Sequence, residues 1–347
     1  MKIDISRRDT ALLKGIAIFG IFLHNYCHWL PNCVSENEYM FRMENTWKMV
    51  EYTKNLGPHL ILNLFSYFGH YGVPLFVFLS GYGLVRKYER TDAKEVSIWR
   101  FIRYNVLKLW KLLALGVVWF WFSDAYLRDG RFVHDWHHIP LLFGFISNLL
   151  PKRDLLLGPW WFFSLIIQLY IIYRLFFYRY RNRTLLLVFT GICLLLQVGA
   201  IFFFNSPKQE VLDYLRYNFV GCMIPFAAGI WAARYEFSLS PKMMLPSLLL
   251  LLAGCFNSYL WLLTPLLAVT LTLPLAHLIT GTHRRFWEWL GGISSSLFVI
   301  HPILRPYFTS WASKGDIYLA TLFYIVACLL VAWLYHKLLE LLPNPKA

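Results

Sequence analysis

The chain has 347 residues, 58% of them hydrophobic and 15% charged, with a formal net charge of +14 and a mean hydropathy of +0.49. Ordinary globular domains are about 45–50% apolar and roughly 25% charged, and here the apolar residues come in blocks such as 185–204 and 317–339, about as long as a bilayer core is thick. A soluble enzyme, a disordered chain and a disulfide-stapled secreted domain are excluded; the composition predicts an all-α polytopic membrane protein.

In a soluble protein 33 Lys and Arg against 19 Asp and Glu would suggest nucleic acid. In a membrane protein the excess belongs to cytoplasmic loops, where it sets orientation, and no nucleic-acid partner is expected. The six cysteines are scattered through apolar blocks and form neither a disulfide framework nor a metal knuckle. The first block contains Lys14 and His24 with no small-residue cleavage site after it, which predicts a retained helix rather than a signal peptide.

Spans of about 20 residues fall in ten places: 11–30, 60–86, 104–126, 158–178, 184–204, 216–234, 243–256, 259–279, 288–307 and 317–339. The second is over-long and is interrupted at Gly69–Gly72; the seventh is short. The stretch 138–150 is too short and too flanked by charge to cross, and is expected at the interface. With both termini cytoplasmic, the inner loops carry 20 basic residues and the outer loops 11, an asymmetry that supports this count and orientation. No internal repeat of the kind found in many carriers is visible.

Ionisable groups inside spans are costly and normally face a cavity or a partner. Lys14 lies toward the cytoplasmic end of the first span and His24 in its outer half; His70 and His301 fall at similar depth on the second and ninth spans. Three histidines on three helices point to a common polar pocket, although a buried histidine bonded to a neighbouring helix is the plainer role for His70 or His301 alone. His24 and His28 share a helical face at metal-ligand spacing, and His134, His137 and His138 form a second histidine-rich spot. Neither pattern supplies a third and fourth ligand, so no metal is expected. Eight basic residues between Arg86 and Lys111 serve orientation and anionic-lipid contact. Among them Arg100 and Arg103, one turn apart, are placed to grip phosphates together.

Four segments carry a resemblance. Gly72-Val-Pro-Leu-Phe-Val-Phe-Leu-Ser-Gly-Tyr-Gly-Leu84, followed by basic residues, resembles the second-helix signature of the acyltransferase family 3 membrane proteins. Lys14-Gly-Ile-Ala-Ile-Phe-Gly-Ile-Phe-Leu-His24 resembles that family's basic-to-histidine first helix. Trp160-Trp161-Phe162 with Tyr170 resembles its mid-chain helix, and Leu290-Gly-Gly-Ile-Ser-Ser-Ser-Leu-Phe-Val-Ile-His301 its late histidine helix. The four occur in the family's order along essentially the whole chain.

The resemblance implies a single membrane domain over residues 1–347, with no appended soluble domain, in the bacterial cytoplasmic membrane. It implies transfer of an acyl group, commonly acetyl, from cytosolic acyl-CoA to a hydroxyl of a carbohydrate or lipid-linked glycan. Acyl-CoA is the donor substrate and no permanently bound cofactor is implied. Lys14 and His24 take the family's functional positions. Two departures stand out. The family has Arg eleven positions before the histidine, about 20° past a whole number of turns, whereas Lys14 is ten before His24, leaving about 80° between them; either Lys14 reaches round, or Asn25 holds the usual histidine position and His24 sits one step off. Leu297 and Phe298 replace a tyrosine common before the late histidine.

O-acyl transfer needs a base at the acceptor hydroxyl, and a neutral histidine is the usual choice. His24 is the candidate base, with Lys14, Arg100 and Arg103 holding the CoA phosphates. Ser80 reads as a helix-packing residue beside Gly81 rather than a nucleophile, and Trp161 either lines an acceptor entrance or anchors the interface. The rival class is a transporter or exporter using the same intramembrane polar residues.

Overall fold

The computed structural model describes residues 5–55, 57, 59–90, 94–127, 136–150, 155–204, 209–235 and 240–345. Lys2, Arg128, Arg131, Lys152, Arg153, Lys208 and Lys346, counted above for orientation, lie outside them, as does His134. Among the described residues every element is helical.

α1 (Arg7–Cys27) starts where Ser6 and Asp9 cap each other: the Asp9 amide donates to Ser6 Oγ at 3.1 Å and the Ser6 amide to Asp9 Oδ2 at 3.0 Å, a capping box. This cap places the start at Arg7, before the apolar run begins. α2 (Met43–Lys54) follows an irregular loop. α3 (Leu60–Phe68) and α4 (Gly72–Tyr88) are two parts of one helical stretch joined by a 3-10 turn over Gly69–Tyr71, so the expected interruption is a local tightening. α5 (Ile98–Leu127) is the longest helix at 30 residues. α6 (His138–Phe143) lies alongside it, with Trp110 Nε1 donating to the Phe143 carbonyl at 2.8 Å; at six residues it cannot cross.

α7 (Trp161–Ile172) is preceded by a 3-10 turn and runs on through a π-helical turn over Tyr173–Phe177. α8 (Arg183–Phe203), α9 (Glu210–Tyr217) and α10 (Phe219–Arg234) follow. Next come α11 (Met244–Gly254), α12 (Ser258–Trp261), α13 (Thr264–Thr272) and α14 (Leu275–Leu278). α15 (Gly281–Gly292), α16 (Ser294–Ala312) and α17 (Ile317–Leu341) close the chain.

Among the described residues six helical stretches are long and apolar enough to cross a membrane: Arg7–Cys27, Leu60–Tyr88, Ile98–Tyr126, Gly158–Phe177, Arg183–Phe203 and Ile317–Leu341. The other four segments marked by hydropathy are shorter or divided. Phe219–Arg234 is a 16-residue helix, and α11 is shorter still. The segment 259–279 is split among α12, α13 and α14, with Pro265 in the first turn of α13 and Pro274 ahead of α14. The segment 288–307 straddles the α15–α16 junction at Ile293. The chain is an integral membrane protein with an all-helical bundle. Exposed apolar side chains such as Leu187, Ile192 and Leu195 on α8 and Leu322, Val326 and Leu330 on α17 form the lipid-facing surface.

α1 packs against α3, α4, α15 and α16. Its crossing with α15 is backbone on backbone: a Cβ on Gly291 would lie 1.7 Å from the Ala11 carbonyl oxygen, and one on Gly15 2.1 Å from that of Trp287. Charge fixes the same crossing, since Arg284 Nη2 meets Asp9 Oδ1 at 2.6 Å and Arg8 Nε meets Glu288 Oε1 at 3.1 Å. These contacts set the depth and rotation of α1, and with them the positions of Lys14 and His24.

A second fastening joins α4, α7 and α10 at that end of the bundle. Glu89, just after α4, and Arg234, the last residue of α10, are buried together: Arg234 Nη2 lies 2.6 Å from Glu89 Oε1 and Nε 2.9 Å from Oε2. Tyr173 donates to Glu89 Oε1 at 2.8 Å, and Arg234 also donates to the carbonyls of Phe177 and Tyr180. The sequence presented Arg234 only as an orientation charge.

Candidate active site

Among the cavities that α1 borders, two hold the residues singled out by sequence, and they are called outer and inner after the orientation expected above. The outer one, about 710 Å³, is lined by His24, Asn25, His28, Glu36, Glu38, Tyr39, His70, Trp161, Tyr217 and Arg305 among others. The inner one, about 490 Å³, is lined by Lys14, Ser80, Lys108, Lys111, Tyr170, His336 and Glu340 among others. Three apolar side chains, Ile21, Phe162 and Phe298, belong to both walls. Phe162 and Phe298 stand with ring centroids 5.3 Å apart. The ten-residue separation of Lys14 and His24 therefore does not require a shared face: the lysine serves the inner chamber, while His24 and Asn25 both reach the outer one.

His24 is buried, and its Nδ1 lies 2.8 Å from the Ser66 carbonyl oxygen. A carbonyl can only accept, so Nδ1 carries a proton, and in the neutral ring Nε2 holds the lone pair. Glu38 Oε2 is 3.6 Å from that Nε2. The His24 ring is thus fixed in orientation by Ser66, with a carboxylate beside its other nitrogen. His70 packs against it with ring centroids 5.4 Å apart, and neither of its ring nitrogens has a hydrogen-bond partner among the described residues.

His301 is fully buried, its Nδ1 bonded to the Leu297 carbonyl on its own helix at 3.0 Å, and it lines neither chamber. Of the three histidines at similar depth, two meet in the outer chamber and the third sits in the packing of α16. Asn25 Nδ2 donates to the Ile21 carbonyl at 3.0 Å, and its own carbonyl accepts from Arg305 at 3.3 Å.

Trp161 is buried in the chamber wall, edge-on to Tyr39 at 5.5 Å, and Tyr39 stacks on Tyr217 at 3.8 Å. An anchor in the lipid belt would be exposed, so Trp161 belongs to the chamber wall and not to such a belt. Burial and the neighbouring Glu38 push the Tyr39 phenol well above its usual range, so it remains a neutral donor. Ser80 Oγ donates to the Phe76 carbonyl at 2.8 Å and faces the inner chamber with Tyr170. The next residue, Gly81, meets α10 so closely that a Cβ would lie 2.4 Å from the Phe226 carbonyl oxygen, a close small-residue crossing of the kind the Ser-Gly pair suggested.

Arg100 and Arg103 are exposed on α5 and line neither chamber; Lys108 and Lys111, two and three turns further on, line the inner one. Lys111 Nζ also bonds the Leu342 carbonyl and Asn344 Oδ1, both at 2.9 Å. Sequence reasoning passed over Glu36 and Glu38. They lie in the loop after α1, whose only signal was two carboxylates shortly after His24 and His28. The loop is held in place by side chains: Val34 N donates to Asn63 Oδ1 at 2.8 Å, Trp261 Nε1 to the Asn37 carbonyl at 2.8 Å, and Arg216 Nε to the Glu38 carbonyl at 2.9 Å.

A family model described as an acyltransferase domain matches residues 9–337, from the cap of α1 to near the end of α17. The chain belongs to this acyltransferase family. No curated protein and no solved structure gives a match. In this membrane acyltransferase the family match spans both chambers and every helix that lines them.

Proposed function

We propose that this acyltransferase takes an acyl group, acetyl in the first instance, from cytosolic acyl-CoA in the inner chamber. It passes the group to a hydroxyl of a carbohydrate or lipid-linked glycan held in the outer chamber. The observation that carries this reading is the sharing of Ile21, Phe162 and Phe298 by the two chambers. Lys14, Lys108 and Lys111 supply cationic donors for the CoA phosphates. From Lys14 to His24 α1 rises about 15 Å, a distance that an extended pantetheine arm spans. The thioester then lies beyond the Phe162–Phe298 pair, within reach of His24.

His24 Nε2 removes the proton of the acceptor hydroxyl as its oxygen attacks the thioester carbonyl. Glu38 holds the resulting imidazolium. Collapse of the tetrahedral intermediate breaks the C–S bond, and the imidazolium returns the proton to the leaving thiolate. No covalent acyl-enzyme is needed. The aromatic wall of Tyr39, Trp161 and Tyr217 suits a sugar ring.

The orientation that goes with this reading has both termini cytoplasmic and ten membrane segments, four of them short or broken, in a bacterial cytoplasmic membrane. It is supported by the clustering of Lys14, Lys108 and Lys111 at the inner chamber. An apolar constriction between two chambers is also what a carrier would have, so the deciding experiment tests chemistry: membranes containing the protein are given acyl-labelled CoA and glycan acceptor. Label should appear on the acceptor and fall about 10²–10⁴-fold in His24→Ala; unlabelled acceptor, or full transfer by His24→Ala, refutes the reading.

A further inference from the structure

Three donor side chains from two segments meet on the wall of the outer chamber. The imidazoles of His24 and His28 and the carboxylate of Glu36 each offer a ligand atom, all within 4.8 Å of one another. Both rings are already oriented as metal-binding histidines are, with the other ring nitrogen committed to a carbonyl. His24 Nδ1 is 2.8 Å from the Ser66 oxygen and His28 Nδ1 is 2.8 Å from the His24 oxygen, which leaves an Nε2 lone pair on each. Three protein ligands facing open cavity is the pattern of a metal site with a free coordination position.

We propose that His24, His28 and Glu36 form a binding site for a divalent transition cation of the Zn2+ type, entered from the outer chamber, and that its occupation stops acyl transfer by engaging the lone pair of His24. The second half of this statement rests on the function proposed above; the first does not. Two imidazoles and one carboxylate suit Zn2+, Cu2+ or Ni2+ and not Mg2+ or Ca2+. The charged surroundings agree. Glu36 and Glu38 face Arg305 at the chamber wall and Arg216, which shares a small void with Glu38 and His70. Two carboxylates against two guanidiniums leave little net field, so binding depends on coordination by nitrogen, and a hard cation gains nothing there. Zinc–nitrogen and zinc–oxygen bonds of about 2.0–2.2 Å require the donors to draw in by about 1 Å. The Glu36 side chain has three rotatable bonds and can make that movement while its loop stays held by Asn63, Trp261 and Arg216.

The experiment uses the full chain, purified in detergent and stripped with a chelator. Zn2+ is titrated by calorimetry, with Co2+ as a spectroscopic probe of tetrahedral nitrogen–oxygen coordination. One equivalent should bind, and His28→Ala and Glu36→Gln should each weaken binding by more than about 100-fold, because losing even an outer partner of a metal ligand costs 10–100-fold. Melting curves of the stripped variants establish that they are folded. Absence of stoichiometric binding, or folded variants that bind as the wild type does, overturns the site. In the transfer assay Zn2+ should inhibit the wild type and chelator should restore it. Binding without inhibition overturns the block while leaving the metal site standing. A protein that binds Zn2+ but transfers no acyl group under any condition refutes the acyl-transfer reading instead.

Discussion

The two ends of the bundle bury polar groups in opposite ways. At the inner end Glu89 and Arg234 are almost wholly removed from solvent and bonded to each other, while Glu89 also accepts from Tyr173 and the Arg179 amide and Arg234 donates to two main-chain carbonyls. Around the outer chamber His70 is just as buried, yet neither of its nitrogens has a hydrogen-bond partner among the described residues, and His24 turns one nitrogen toward Glu38 at the cavity wall. An unbonded buried polar group costs about 1–3 kcal/mol. A saturated ion pair is a fastening, whereas unsatisfied groups facing a space are held for something that enters it. Burial alone would have ranked the two ends equally; the bonding separates them.

The largest effect expected in breaking this contrast comes from the inner end. Glu89→Leu or Arg234→Met strands a charge and should cost about 3–5 kcal/mol of stability, read as a lowered melting temperature in detergent. The double replacement should recover most of the loss, because the pair as a unit contributes little net stability. At the outer end the cost should appear in rate and not in melting. Glu38→Gln removes one charged partner from the imidazolium and should slow transfer about 10- to 100-fold with folding unchanged; equal rates would remove Glu38 from the mechanism. A smaller change is expected where the donor binds. Lys14→Met or Lys108→Met should raise the apparent acyl-CoA requirement about tenfold, the worth of one charge-assisted contact, while Arg100→Ala with Arg103→Ala should leave it unchanged. Last, His70→Phe should leave the melting temperature unchanged or raise it, since an unsatisfied group is replaced by a ring of similar size. A clear fall would mean that His70 has a partner in the folded state and belongs with the fastenings.

Much of this was legible in the chain. The apolar blocks, Lys14 and His24 at opposite depths of one helix, and the four family segments gave the class of protein and the helix on which the chemistry is built. Hydropathy could not tell a continuous crossing from one cut by Pro265, Pro274 or the junction at Ile293, because it measures apolarity and not helix continuity. Helical spacing put Lys14 and His24 some 80° apart and made this look like a conflict; two chambers at different depths along α1 remove it. Arg100 and Arg103 were singled out for their charge and spacing, but the inner chamber meets α5 two to three turns further on, at Lys108 and Lys111, and which turn of a helix borders a cavity is set by packing. Glu36 and Glu38 had no periodic signal at all. They reach the site because Asn63, Trp261 and Arg216, all distant in sequence, hold their loop.

The three side chains common to both chambers have a consequence for the cell as well as for the reaction. In the proposed orientation the two chambers enter the membrane from opposite sides, and Ile21, Phe162 and Phe298 are the thickness of dielectric that remains between them. A pore lined by such residues dewets when nothing fills it, so ions and protons have no wire of water to follow. Any side chain small enough to ease the passage of a thioester would also lower the electrical resistance of the membrane. The width of that seal is therefore set by two demands at once: admission of an acyl arm and retention of the ion gradient.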